Sequence, residues 1–442
     1  MGYPVKDEWY TSIDLWRAWY AGEVAAVHNY DVYNGKEFIH CKRRKLGMGK
    51  AISEDWANLE MNEKVQIIVE DKTKQEKLDN VLAANHFRRN MNQLIEKTFA
   101  LGTGATVEYK DGDATKIDYI RAGMIYPLSV DNGEIRECAF ASESITANNQ
   151  IQVYLNMHTL DDKGNYVIEN KMFTRVGDSL SSAPLPDGVQ EIVETGSPVP
   201  LFQIIKPNIV NNLDFDSPMG ISVFANALDQ LAVTDLIFDS YQNEYLLGMK
   251  RITVPMSMAQ IQMEADGTSK PVFDPRSTVF HAVPAVSGQT QKIEEHNMAI
   301  RAQEHSAGIQ DALNMLSYKC GLGKDRYNFH DGQVKTATEV VSEKSDLFQN
   351  LKKHEILLKD ALVCMVQAIM QLEGMTIEPD EITINFDDSI IEDVNAERVQ
   401  FLQGVTLGIY QPWEYRVRFD GEDEETAKAM TGQQGGITYA DS

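Results

Sequence analysis

Apolar residues recur every three or four positions over some stretches of this chain and every second position over others, so helical and extended segments follow one another. Residues 7–20 predict a short amphipathic helix with an aromatic stripe of Trp9, Tyr10, Ile13, Trp16, Trp19 and Tyr20. Such a stripe suits a core or an oligomer contact, and core is the simpler assignment. Asn34-Gly35 marks a tight turn. Residues 52–59 form a helix with Trp56 inward, 63–69 alternate as a strand through Val65, Ile67 and Val69, and helices follow near 75–84 and 86–99. Between 101 and 210 the period falls to two, with turns at Asp111-Gly112 and Asp131-Asn132-Gly133. Pro184, Pro186, Pro198 and Pro200 make 179–200 a surface loop. The first half is therefore α+β, with helices ahead of an antiparallel array.

Pro218-Met219-Gly220 opens a further helix, with Phe224, Leu228, Leu231, Phe238, Tyr241 and Tyr245 on its stripe and Gly248 at its end. Short strands at 252–255, 272–273 and 278–281 interrupt the helices, and another helix over 293–318 follows. A Gly-punctuated basic loop then leads into one long helical pattern that reaches Leu372 without Gly or Pro. Val340, Lys344, Leu347, Leu351, His354, Leu358, Ala361, Met365, Ile369 and Leu372 mark one face. Thr336 or Thr338 can cap its start, and Gly374 ends it. At 1.5 Å per residue this helix is about 50–55 Å long and needs a long surface to lie on. A strand at 381–386, a short helix near 395–409 and an acidic Gly/Gln-rich tail close the chain.

The 442 residues suffice for two to four structural units. The charge balance is unusual, with 66 acidic residues against 41 basic ones and a net −25. Such a chain repels polyanions at long range and does not wrap phosphate backbones, which takes clustered Lys and Arg. Lys42-Arg43-Arg44-Lys45 is the one strong basic cluster, and a solvated face is its ordinary role. Cys41, Cys138, Cys320 and Cys364 lie too far apart for a zinc motif or a disulfide framework and predict reduced, buried thiols. The N-terminus lacks the plan of a signal peptide, and no apolar run spans a bilayer, so folding in the cytoplasm is expected.

Catalytic signatures are not found. Gly321-Leu322-Gly323-Lys324 is followed by Asp325 and lacks the spacing of a phosphate-cradling loop. His354 has no second His four residues on. Asp387, Asp388, Glu392 and Asp393 could hold metals for a nuclease, but a solvated strand-to-helix turn accounts for them without a companion motif. No cofactor is expected.

Five segments follow one another in a set order, beginning with Ile52-Ser53-Glu54-Asp55-Trp56-Ala57-Asn58-Leu59 with Asn62-Glu63-Lys64-Val65, then Leu101-Gly102-Thr103-Gly104-Ala105. Asn211-Asn212 with Ser217-Pro218-Met219-Gly220-Ile221-Ser222-Val223-Phe224 follows, then Lys335-Thr336-Ala337-Thr338-Glu339-Val340 at the head of the long helix, then Ile384-Asn385-Phe386-Asp387-Asp388-Ser389. In this order they resemble the portal proteins of tailed bacteriophages, siphophages of Gram-positive hosts above all.

The resemblance implies a wing (1–222 with the long helix 337–373), stem helices (223–248 and 293–318) and a small β-containing clip (249–292). It further implies a tunnel loop (319–336) and a C-terminal strand and tail (374–442) with a reduced crown. It implies a homo-oligomeric ring, usually of twelve copies, at a capsid vertex of the virion, assembled in the host cytoplasm. Double-stranded DNA would pass through it. The terminase large subunit, the major capsid and scaffolding proteins and the head-completion adaptor would be its partners, with no membrane involved. Gly321, Gly323, Lys324, Arg326, Gly332 and Lys335 would form the DNA-facing loop. Twelve helices spaced 9–10 Å apart leave a bore of about 25 Å, wide enough for a duplex. The alternative is a DNA-processing, metal-dependent hydrolase using the acidic cluster at 387–393.

Overall fold

The computed structural model describes residues 6–432 except 147, 178, 256–259, 264, 266, 268, 273–279, 285–291, 329–336, 387–393 and 422–423. Helix α1 (Asp7–Ala21) buries Trp9, Ile13, Trp16 and Trp19, so its aromatic stripe is core. A single turn, α2 (Ala25–His28), enters the hairpin β1 (Asn29–Tyr33) and β2 (Phe38–Lys42). Its turn is held by Asn34 Oδ1, which accepts from the Lys36 and Glu37 amides at 2.9 Å each. Helix α3 (Met48–Glu60) turns Ile52 and Trp56 inward. After β3 (Gln66–Val69), α4 (Lys72–Ala84) starts at Asp71, whose carboxylate caps the Thr73 and Lys74 amides. Helix α5 (Phe87–Leu101) completes this layer.

Strands β4 (Gly104–Asp111) and β5 (Ala114–Arg121) form a hairpin. Strands β6 (Ile125–Asp131), β7 (Glu134–Ile145), β8 (Ile151–Leu160), β9 (Tyr166–Val176), β10 (Ser179–Ala183) and β11 (Ile192–Glu194) build an antiparallel sheet in the order β10-β9-β8-β7-β6, with β11 also on β9. The stretch expected as a loop at 179–200 thus supplies two edge strands, because β9 offers backbone groups that short segments on either side of the prolines can pair. Strand β12 (Phe202–Ile205) returns to pair with β4.

Two of the resembling segments meet at this point. The Gly220 amide donates to Thr103 Oγ1 at 3.0 Å, and the Val223 amide donates to the Phe99 carbonyl at 2.9 Å. A Cβ on Gly102 or on Gly220 would lie 2.3 Å from the other residue's carbonyl oxygen, so this contact admits only glycine on both sides.

Helix α6 (Leu228–Leu247) begins after a short 3-10 turn at Ala225–Ala227, five residues later than the pattern from 223 suggests. Strands β13 (Arg251–Pro255), β14 (Gln260–Met263), β15 (Ser269–Val272), β16 (Phe280–Val283) and β17 (Glu294–His296) follow, with β13 between a parallel β16 and an antiparallel β17. Helix α7 (Ala302–Lys319) therefore starts at 302 and not at 293: pairing with β13 draws Glu294–His296 out of the helix.

Helix α8 (Ala337–Leu372) runs 36 residues. From Leu347 onward its expected face is buried, through Leu351, His354, Leu358, Ala361, Met365 and Ile369. Strand β18 (Ile382–Asn385) closes on β3. Helices α9 (Val394–Thr406), α10 (Pro412–Asp420) and α11 (Glu424–Gly432) end the described chain, so part of the expected tail is helical. One contiguous core takes residues from α1, α3, α5, β4, the start of α6, the end of α7, α8 and β18.

Glu373, at the C-terminal end of α8, faces an unfavourable helix dipole. It is held by Lys110 at 2.6 Å, Lys77 at 2.7 Å and the Thr115 hydroxyl, with 7% of its side chain exposed. These partners bring its pKa down to about 2 against the cost of burial. Glu373→Gln should cost about 1–3 kcal/mol in urea unfolding at pH 7, since two ammonium groups lose their counter-charge. An unchanged midpoint would show the lysines to be equally well served by water.

Candidate functional site

The Gly-rich loop begins as a helix ending. At the end of α7 the Gly321 amide bonds the Tyr318 carbonyl at 3.1 Å and the Leu322 amide bonds that of Ser317 at 3.0 Å, with Gly321 at φ 81°. Leu322 is buried, the apolar partner usual in this motif. Ser317 Oγ then donates to the Gly323 carbonyl at 2.7 Å.

The segment is fastened to the core from three sides. Trp56 Nε1 donates to the Cys320 carbonyl at 3.1 Å, and Asn350 Nδ2 of α8 donates to that of Gly321 at 2.9 Å. A Cβ on Gly321 would come 3.3 Å from the Trp56 ring. Arg326 grips Asp55 of α3 with two bonds, Nε to Oδ2 at 2.7 Å and a terminal nitrogen to Oδ1 at 2.5 Å. The Tyr327 hydroxyl also reaches Asp55, at 3.3 Å, and Gln310 Nε2 donates to the Tyr327 carbonyl at 3.0 Å. Burial pushes the Tyr327 phenol well above its ordinary pKa and the Cys320 thiol up to about 12, so neither ionises near neutrality.

Of the six residues expected at the loop, four are described. Gly321 and Gly323, at φ 81° and 77°, turn the chain against the core. Arg326 is committed to Asp55, and Lys324 is exposed, with no carboxylate partner among the described residues. Gly332 and Lys335 lie outside the described residues, as do Asp387, Asp388, Glu392 and Asp393. Asp55, Trp56 and Asn350, which hold the loop, were not singled out for it. Asp55-Trp56 does stand in a resembling segment, and that signal could have found them.

Beyond the loop, α6 and α7 form an antiparallel pair, with Gly248 near Ile300 and Gly308 near Ile237. Burial is confined to the ends nearer the core, at Leu231, Thr234, Asp235 and Asp239 of α6 and at Ala312, Leu313, Leu316 and Ser317 of α7. Exposed apolar side chains run along the pair, at Leu236, Tyr245, Leu246 and Leu247 of α6 and at Met315 of α7. Where it meets the β13 region, Arg301 grips Glu244 at 3.0 and 2.8 Å, which brings that carboxyl down to about 2.

A helix pair leaves the core, a β-rich excursion lies at its far end and a fastened loop precedes a long helix, and among the described residues no group of His, Cys, Asp and Glu could hold a metal ion. The sequence pattern of the SPP1 Gp6-like phage portal proteins matches residues 4–411, and the chain belongs to that family. Its function is that of a phage portal, an oligomeric ring at the capsid vertex of the virion through which DNA passes. No curated protein matches the chain. Among the described residues no helix is long and apolar enough to cross a membrane.

Proposed function

We propose that α6 and α7 are the stem that lines the DNA channel, that 249–292 is the clip, and that 319–336 is the tunnel loop. The wing would be the remaining core with α8, and the chain after β18 a reduced crown. The antiparallel α6–α7 pair, buried only at its core-proximal ends, carries this reading, because a solitary chain has no use for so much open apolar helix surface. Twelve copies would close the ring, with a neighbouring number possible for recombinant rings. The clip would meet the terminase motor during packaging and the head-completion adaptor afterwards. The ring would have no hydrolytic activity of its own and would depend on the terminase for ATP-driven work. The hydrolase alternative gains nothing from the family match. Electron microscopy of the purified full chain tests the assignment: rings of about a dozen copies are expected, and a folded monomer at high concentration would defeat it.

The loop's cations divide by their surroundings. Lys324 is open to a passing phosphate, whereas Arg326 is engaged by Asp55. Lys324→Glu should leave ring assembly intact and reduce packaged DNA, with the deficit shrinking as salt rises, because a single phosphate contact is screened. Heads filled to normal length at every salt concentration would remove Lys324 from the channel.

A further inference from the structure

The tip of the β1–β2 hairpin is an apolar arm with no partner among the described residues of its own chain. Residues 31–40 are all exposed, and its tip carries Val32 (46% exposed), Tyr33 (58%), Phe38 (73%) and Ile39 (46%). Val32 pairs with Ile39 on one face and Tyr33 with Phe38 on the other, so both faces of the tip are apolar. A lone two-stranded hairpin is marginally stable in water, and one with apolar faces is a template for association.

Its root, in contrast, is fixed. Asp235 of α6 accepts from His28 Nε2 at 3.0 Å and from the Leu46 amide at 2.7 Å. His28 Nδ1 accepts from the Val24 amide at 3.0 Å, which leaves the ring proton on Nε2 for Asp235. One turn further along α6, Asp239 accepts from the Arg44 amide at 3.0 Å. The opposite face of α6 is open. There a groove of about 490 Å³ lies between α6 and α7, lined by Leu236, Ile237 and Gly308 with Arg301, Glu304 and His305.

A head-to-tail ring requires two different complementary surfaces on each copy, and these two lie on opposite faces of one helix. We propose that the hairpin is an inter-subunit arm whose apolar tip seats in the α6–α7 groove of the next copy in the ring. Lys36 at the tip complements Glu304 at the groove, where Arg301 is already held by Glu244. This proposal rests on the portal reading, since it needs a ring neighbour to supply the groove.

The test places a photo-reactive benzoyl-phenylalanine at position 38 of the full chain, in rings assembled from a mixture of light and heavy isotope-labelled copies. Crosslinks joining a light copy to a heavy one, at peptides containing Leu236 or Gly308, are expected. In parallel, the double variant Tyr33→Ser with Phe38→Ser should keep its circular-dichroism melt, because both side chains are exposed. It should need roughly tenfold or more protein to form rings. Crosslinks confined to one copy, or reaching any other surface, would overturn the proposal, as would rings from the variant at the wild-type concentration. If the variant fails to fold, the crosslinks decide. A wild-type chain that forms no ring sinks the portal reading and the arm with it, whereas wild-type rings with indifferent arm variants sink the arm alone.

Discussion

Trp56→Ala should destabilise the fold by about 3–5 kcal/mol, as expected for truncating a fully buried indole. Trp56 is 0% exposed and stands where four elements meet. It lies edge-on to His354 of α8 at 4.8 Å and tilted on Phe99 of α5 at 5.7 Å. Its indole nitrogen holds the Cys320 carbonyl at the end of α7. No neighbour can refill this space without moving α8, whose buried face spans the core. Trp56→Phe separates the two roles: it keeps much of the volume, loses one buried donor and should cost about 1 kcal/mol beyond its packing term. Urea unfolding followed by circular dichroism measures both. Amide exchange over 319–328 should rise in Trp56→Phe before the global midpoint moves much, because the loop anchor is lost first. A cost below about 1 kcal/mol for Trp56→Ala would mean that the four elements do not depend on one another there.

What could be seen beforehand was periodicity. The ten positions marking the long helix are separated by threes and fourfold steps, and the seven of them from Leu347 to Ile369 that are described on that face are buried. The aromatic stripe of α1 and the inward Trp56 were legible for the same reason, since a bulky apolar residue at helical spacing has few alternatives to a core. Long-range pairing was not legible. Residues 293–301 suit a helix locally, yet Glu294–His296 pair with β13 some forty positions earlier, and a ladder formed at that distance overrides local preference. The short strands β10 and β11 were hidden by the prolines around them.

The loop divides the same way. Its glycines and cations announced a turn with exposed charge, which holds for Lys324. Nothing local distinguishes Lys324 from Arg326, whose partner Asp55 lies 271 residues away. Gly102 and Gly220 likewise stood in separate motifs, and only folding makes one contact of them. In both cases the missing information was which distant residue arrives, and spacing in one sequence does not contain it.

Acid should unfold this protein along a curve with a flat shoulder and then a steep fall. Burial among aromatic rings lowers His158 and His354 to about 3. Each stays neutral in the fold, so each costs stability as pH drops below the ordinary histidine value of about 6.5, where the unfolded chain takes a proton that the fold refuses. Two buried carboxyls act in the opposite sense. Burial raises Glu108 to about 7, so its penalty is relieved as pH falls from about 7 towards 4.5, and Glu60, which burial moves well above its ordinary value, acts in the same sense. Over that interval two losses oppose two gains, and stability should change little. Below about 4.5 the raised carboxyls are protonated in both states and give nothing more, while both histidines continue to lose. Glu373, with its pKa near 2, begins to lose its lysine pairs in the same range. The fall between pH 4.5 and 3 should reach about 4–6 kcal/mol at about 1.4 kcal/mol per pH unit for each of three groups. His354→Gln keeps an acceptor for the Asn208 amide, which bonds His354 Nδ1 at 2.9 Å, and removes one of the three. Its fall over the same interval should be smaller by about 2 kcal/mol in urea midpoints converted to free energy. A wild-type decline that begins at pH 6.5 would show that the two carboxyls do not offset the histidines, and one that His354→Gln follows in parallel would show that His354 takes up its proton without opening the fold.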